Sequence, residues 1–301
     1  MNRASLNLIL ALVLIALGGA VYFSQKKAPP PKPPLTALNN AAIHAVTVDV
    51  PEHKVIKLEK SKTGHWTLTE PVQVPADAEE VNGLLNVATS PCEEKIALAE
   101  VKLADLGLAP PKYTLQFDQT RIEVGEVEPL KYRRYVKTGG HVCLISNPTS
   151  QALNGDYSSL ISKRLVAADK TITGIDLPQL KISRSADGKG WTVDPADPRA
   201  AADAAQKLAD AWAGANSSWN KPAAATGKTS ADAKYAILHF KNGHALKFLI
   251  AKRAPQLVLE REDIGVRYSL SKQDANTLLS LQKAPIKKNV ATAPVKSAVA
   301  K

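Results

Sequence analysis

The sequence predicts an α+β fold: two tandem similar units, each a mostly antiparallel sheet with one main helix, behind an N-terminal transmembrane helix. Three observations predict it. A strand-like run closed by Trp66 returns 125 residues later as a run closed by Trp191, and the order of signals after each Trp is the same. Short alternating segments joined by Gly-containing turns dominate both stretches, which is how antiparallel hairpins read. A single apolar segment of membrane length precedes them.

Leu6 to Phe23 is apolar except for Asn7, and no charge falls between Ala4 and Gln25. As a helix it would rise about 27 Å, close to the roughly 30 Å hydrocarbon core. Tyr22 and Phe23 stand where interfacial aromatics help. A cleavable signal peptide with Gly18-Gly19-Ala20 as its small-residue site is the rival reading, but the run is long for that role. An uncleaved signal anchor is therefore expected, holding the lipid bilayer through residues 6–23. No Cys comes after the segment at the position a lipoprotein anchor requires, which excludes that kind of anchor. Lys26 and Lys27 behind it, with Arg3 alone ahead, would by strict count keep the body cytoplasmic. A short N-terminal tail is instead the habit of anchors that export the downstream chain. The expectation is a single-pass inner-membrane protein with its bulk in the periplasm.

Ala28 to Pro34 reads as a polyproline II spacer about 20 Å long, and residues 26–39 as a Pro-rich linker after the anchor at 1–25. The first unit is expected over 40–168 and the second over 169–283, with a disordered basic tail over 284–301.

In the first unit Val46–Val50, Val55–Leu58 and Trp66–Leu68 read as strands. Asp77 caps a helix whose Val81, Leu84, Leu85 and Ala88 form one apolar face. A helical turn ends at Leu106-Gly107 before Pro110-Pro111. Tyr113–Phe117 with Ile122–Val124, and Tyr132–Val136 with Val142–Ile145 over Gly139-Gly140, form two hairpins. Short helical pieces come next, around Leu153 and Leu160. The second unit repeats the order: strands over Ile172–Ile182 and Trp191–Val193, then a helix capped by Asp197 with Pro198 first and Ala201, Ala204, Leu208 and Trp212 inward. Thr229 or Ser230 caps a turn. A hairpin then crosses Asn242-Gly243, another joins Leu257–Glu260 to Val266–Leu270, and Ser271 with Asp274 caps a last helix.

The net charge of +11 suggests nucleic acid until it is located. Eight of the 39 Lys and Arg lie in the two flanks, at Arg3, Lys26, Lys27, Lys32, Lys287, Lys288, Lys296 and Lys301, where no acid stands. The remaining 31 face 28 acids. The excess belongs to membrane headgroups or solubility, and no nucleic-acid partner is expected. Cys92 and Cys143 are a disulfide candidate if the chain is exported, and two buried thiols otherwise.

The order of short motifs resembles the bacterial domain-of-unknown-function family 4340. Trp66-Thr67-Leu68 with Glu70-Pro71 and Ala76-Asp77 is similar to its opening. Leu106-Gly107-Leu108 with Pro110, Gly125 before Tyr132–Val136, and Ser162-Lys163-Arg164-Leu165 are similar to later pieces. The likeness spans about residues 40–283 and is closer in the first unit; the second lacks the Gly-Leu…Pro element. The resemblance implies a single-pass, exported, β-rich domain, related to domains in auxiliary subunits of gliding-type ABC transporters. It implies no catalytic residues.

Chemistry-bearing motifs fail one by one. Gly227-Lys228-Thr229-Ser230 has Pro222 where a phosphate loop needs Gly. His239 and His244 would share a face across a two-residue turn, yet no third metal ligand is evident. Gly214–Ser218 is not a nucleophile elbow. Asp77, Glu79 and Glu80 suit a helix N-terminus better than acid–base work. Trp66 and Trp191 read as core anchors rather than binding aromatics. No catalytic, cofactor or metal residue is assigned. The expected function is a non-enzymatic accessory protein of the bacterial envelope that binds a protein partner, auxiliary to an ABC transporter. The alternative is an envelope hydrolase, or a small-ligand or glycan-binding module, with its site between the units.

Overall fold

A computed structural model describes residues 2–25, 31–223 and 233–284. The Gly227–Ser230 motif, the Thr229/Ser230 cap and nearly all of the basic tail lie outside these residues. The first helix, α1 (Arg3–Gln25), is long and apolar enough to cross a membrane: Arg3–Tyr22 has a mean hydropathy of 2.3 and is not buried against the rest of the chain. It is a candidate single-pass anchor.

The body is α+β with two antiparallel sheets. The first is built from β1 (Ala45–Asp49), β2 (Ile56–Lys60), β3 (Trp66–Glu70), β4 (Val74–Pro75), helix α2 (Ala78–Ala88), β5 (Glu94–Ala97), β6 (Tyr113–Phe117), β7 (Thr120–Val127), β8 (Arg133–Thr138) and β9 (His141–Ser146). Its nine strands lie in the order β4-β3-β2-β1-β6-β7-β8-β9-β5. The second comprises β10 (Ile172–Leu177), β11 (Leu180–Arg184), β12 (Trp191–Asp194), helix α3 (Ala204–Gly214), β13 (Trp219–Pro222), β14 (Tyr235–Phe240), β15 (Ala245–Lys252), β16 (Val258–Arg261), β17 (Val266–Ser269) and helix α4 (Lys272–Leu279). Its eight strands lie in the order β12-β11-β10-β14-β15-β16-β17-β13.

With β4 set aside, both sheets obey one construction rule. Three strands are laid outward from a central first strand. A helix then carries the chain to the opposite edge, where a short strand is set down. A four-strand meander fills the gap between. Each helix can hide its apolar stripe only against a sheet face. Val81, Leu84, Leu85, Val87 and Ala88 of α2, and Ala204, Ala205, Leu208, Ala209 and Trp212 of α3, are buried. Corresponding Trp residues keep corresponding neighbours. Trp66 pairs in register with Lys60, whose ammonium lies 5.8 Å from the ring, and Trp191 pairs with Arg184, whose guanidinium lies 4.8 Å from it. Trp66 is buried, whereas Trp191 is half-buried on an edge strand with Nε1 donating to Gln206 Oε1 at 2.8 Å. The core anchor of the second sheet is Trp212, fully buried, donating to Leu278 O at 2.8 Å and packed 5.6 Å from the Phe248 ring.

Four local expectations are corrected. The run Ile172–Ile182 breaks at Pro178-Gln179 into β10 and β11. The residues before Gly107 form turns rather than a helix. Asp197 does not start α3; its carboxylate accepts from Arg199 N at 2.9 Å within a turn, and Ala200 and Ala201 stay extended because they pair with Gln282 and Lys283. The Asn242-Gly243 loop holds three residues, since Phe240 faces His244 and His239 faces Ala245. Asn242 Oδ1 accepts from His244 N at 3.2 Å, and Gly243 takes a left-handed φ of +81°, the usual three-residue solution. That one-residue slip puts the two histidines on opposite faces.

Cys92, just before β5, is bonded to Cys143 on β9, with Cα atoms 5.4 Å apart. The bond adds a covalent tie to a largely exposed edge strand that pairs on one side only, with β9. In the second sheet Ser217 stands two residues before β13, as Cys92 stands two before β5, and hydrogen bonds replace the covalent tie there.

At the β7–β8 turn, Glu128 is 8% exposed and braces the backbone. Its Oε2 accepts from Lys131 N at 3.1 Å and from Arg133 Nε at 3.2 Å. The hydrogen bond from Arg133 is the main reason its carboxyl is held below the usual range, against the opposing pull of desolvation.

Both ties can be tested. Reducing the Cys92–Cys143 bond, or Cys92→Ala with Cys143→Ala, should cost about 3–4 kcal/mol of unfolding free energy, from the loop it closes, in denaturant titrations with and without thiol. Because the Glu128 pKa is depressed on folding, its brace contributes fully above the ordinary carboxylate range near ~4.3 and is lost as pH falls through the lower folded value. A carboxyl titration monitored by NMR should find Glu128 below that range in the wild type and back within it or above in Arg133→Met.

Candidate functional site

A cleft of about 850 Å³ lies at the junction of the two sheets. Its geometry begins with the connecting segment 160–166, which is bonded on both flanks. On one side Asp77 N donates to Leu160 O and Ser162 N to Pro75 O. On the other Ser217 N donates to Lys163 O and Leu165 N to Ala215 O. Asn220 completes the seam from inside: its Nδ2 donates to Ile161 O at 2.8 Å, and its Oδ1 accepts from Ser217 Oγ at 2.6 Å.

Helix α2 forms one wall. Glu80, Gly83, Val87 and Ser90 stand three or four residues apart, so they share one face of the helix and its C-terminal exit. Residues Asn147 to Gln151 and Trp219 to Pro222 also line the cleft. Gly83 leaves open space where a side chain would project. Trp219 is 45% exposed, one of three large hydrophobic side chains exposed outside α1 among the described residues.

The acids at the cleft are engaged. Asp77 caps α2 through Oδ1, accepting from Glu79 N and Glu80 N, as expected for a helix start rather than an acid–base pair. Lys163 Nζ lies 3.7 Å from Asp77 Oδ2 and 3.6 Å from Glu80 Oε1. Asp156 Oδ1 accepts from Ser158 N at 2.9 Å and Ser158 Oγ at 2.6 Å. Lys221 and neutral polar groups supply the remaining surface. Asn86 Oδ1 accepts from Asn40 Nδ2 at 3.0 Å, and Asn147 Oδ1 accepts from Arg134 Nε at 2.9 Å. Ser150 Oγ is buried with no hydrogen-bond partner, an orphan that a ligand or water would satisfy. The groups whose pKa moves most serve the sheets: burial pushes the Tyr113 and Tyr268 hydroxyls up to about 12.

The residues singled out in the sequence scatter. His239 pairs with Asp176 at 3.3 Å, away from His244, and no group of three or more potential metal ligands occurs among the described residues. The cleft residues carry no sequence motif. Trp219 is the one signal that could have found them, a Trp outside both repeated runs and flanked by Ser218 and Asn220.

The Leu106-Gly107-Leu108 turn lies against Gly125 of β7. Glu126 N donates to Leu106 O at 2.8 Å, and a Cβ on Gly125 would come within 2.2 Å of Leu106 O. The two motifs are therefore one contact, which requires glycine at 125. The family model described as "Domain of unknown function (DUF4340)" matches residues 66–256, from Trp66 past the end of β15 and across both sheets. The chain belongs to this family. No functionally curated protein and no solved structure matches it. Membership in the DUF4340 family thus fixes a lineage and leaves the activity to be argued from the cleft.

Asn220→Leu should remove the seam's internal bonds and leave the buried Ile161 carbonyl without its donor. The expected loss is about 2 kcal/mol, read as a lower denaturant midpoint with the slope unchanged.

Proposed function

We propose that this DUF4340 chain is a membrane-anchored, exported accessory protein of the bacterial envelope, and that its cleft receives a segment of a protein partner. In this reading a sheet-and-helix unit was duplicated, giving units over 40–168 and 169–283, and their junction became the binding site. The observation that carries it is the cleft: roomy, contributed by both halves, rich in side-chain amides and hydroxyls, with its acids already committed to Lys163 and to backbone caps. Groups so engaged favour recognition over acid–base or nucleophilic work. The disulfide behind an apolar N-terminal helix supports the periplasmic side, because such bonds persist where thiols are not kept reduced. An auxiliary role beside an ABC transporter rests on the family resemblance alone.

A second reading draws on Trp219. A half-exposed indole among neutral amides also suits an uncharged glycan, whose sugar faces stack on aromatic rings while its hydroxyls meet Asn and Gln.

Gly83→Arg discriminates. It fills open space from a helical position, so the fold should stand and α2 gain helix propensity. A photo-crosslinking residue placed at Trp219 in intact cells should capture one envelope protein, and Gly83→Arg should reduce that adduct at least about tenfold, a loss of roughly 1.4 kcal/mol. An adduct unchanged by Gly83→Arg would refute the cleft as the site. Glycan fragments that quench Trp219 fluorescence, with no protein adduct, would favour the second reading.

A further inference from the structure

Beyond α1 and Trp219, the large hydrophobic side chains exposed among the described residues are Leu130, 88% exposed, and Tyr132, 75% exposed. They stand together at the tip of the β7–β8 turn with exposed Lys131 between them. The sequence pattern places Tyr132 inside a strand; the structure places it outside β8 with φ at +55°, a left-handed backbone that a bulky side chain rarely adopts. The conformation is imposed. Glu128 N donates to Arg133 O at 2.7 Å, and the Glu128 carboxylate holds Lys131 N and Arg133 Nε. Arg133 Nη1 continues to Glu94 at 3.2 Å. A nearly buried ion pair thus fixes a tip whose apolar groups stand clear of the core. A strained backbone that exposes a leucine and a tyrosine side by side points to an apolar occupant.

The location of the brace selects that occupant. Glu93 lies 3.9 Å from Arg133 Nη1 and also 3.9 Å from Lys32 Nζ. Lys32 is the start of the body: Pro33 O accepts from Cys92 N, and Leu35 is buried. Lys32 comes seven residues after Gln25, the end of α1. Fully extended, that span reaches at most about 25 Å. The tip therefore stands beside the residue at which the tether enters the body. Its composition also fits lipid: an aliphatic side chain to enter the acyl boundary, a tyrosine for the interface, and Lys131 and Lys32 for anionic headgroups.

We infer that the Leu130–Tyr132 tip is a second membrane contact, which seats the body on the surface of the bilayer that α1 crosses. This rests on reading α1 as an anchor. Two points of attachment would stop the body from swinging on its tether and fix which face it presents.

The test uses the full chain reconstituted into phosphatidylglycerol-containing vesicles, with lipids brominated near the headgroup or unbrominated. Tyr132→Trp should show roughly twofold stronger quenching by brominated lipid than the unsubstituted chain, as an indole at the interface would. Adding Leu130→Asp to that variant should return quenching to the parent level. Equal quenching in Tyr132→Trp and the parent overturns the inference and leaves the tip to a protein partner. Vesicle flotation separates the two readings: a chain that does not float has lost the anchor, whereas one that floats without the extra quenching has lost only the tip contact. An unchanged thermal midpoint for Tyr132→Trp excludes misfolding as the cause.

Discussion

Residues 160–166 hold the molecule together because both sides of one short strap are hydrogen-bonded. Leu160 to Ser162 pair with the residues ahead of α2, and Lys163 to Val166 run beside the residues behind α3. The same two attachments recur at the ends of the body. Pro33 to Thr36 pair with 88–92 behind α2, and Gln282 to Ala284 pair with Arg199 to Ala201 ahead of α3. Each sheet-and-helix half is thus bracketed by a strap that enters behind its helix and a strap that leaves ahead of it. In the middle of the chain the exit strap of one half and the entrance strap of the next are consecutive residues. No linker separates them, so the cleft residues of α2 and of β13 are joined through one hydrogen-bonded strap.

This bracketing explains which parts of the fold are legible in the sequence. The meanders β6–β9 and β14–β17 are local: alternating residues and tight turns lay out the strands, and those segments match the sequence reading to within a few residues, although the register across Asn242-Gly243 slips by one. The edge strands β5 and β13 are not legible. Glu94-Lys95-Ile96-Ala97 is polar and short, and it is a strand only because β9 offers an open edge that the crossover from α2 brings within reach. The start of α3 departs from expectation for a related reason. Asp197-Pro198 is a good local helix signal, but the exit strap at 282–284 demands extended backbone at 200–201, and the tertiary pairing wins over propensity. Leu35 shows the converse. It stands in a Pro-rich stretch that reads as linker, yet the entrance strap buries it in the core.

The candidate site is less legible than the fold, because it is assembled from residues with no local pattern. Asn86, Asn147, Ser150 and Trp219 come from a helix exit, a loop and an edge strand, and none would be selected without knowing that the strap brings them together. The chemistry-bearing residues that the sequence does offer are consumed by structure. Asp77 caps α2, and the Asn242-Gly243 register separates His239 from His244. The two cysteines are consumed too, locking the β5 edge.

Comparison of the two halves shows where they diverge in physical kind. The first closes its far edge with a covalent bond between Cys92 and Cys143; the second places Ser217 and Asn220 there, whose hydrogen bonds reach across to Ile161 and Lys163 of the strap. A disulfide at that second position would have tied the half only to itself. The polar pair ties it to its neighbour. The same exchange leaves the cleft side of β13 to Trp219, which stands where the first sheet has Glu94, an acid bound to Arg133. In the first half, that position serves the brace that holds the exposed tip beside the tether. In the second, it is released to face the cleft. One structural position therefore supports the seating of the body in one half and offers a binding surface in the other, a division of labour that identical halves could not achieve.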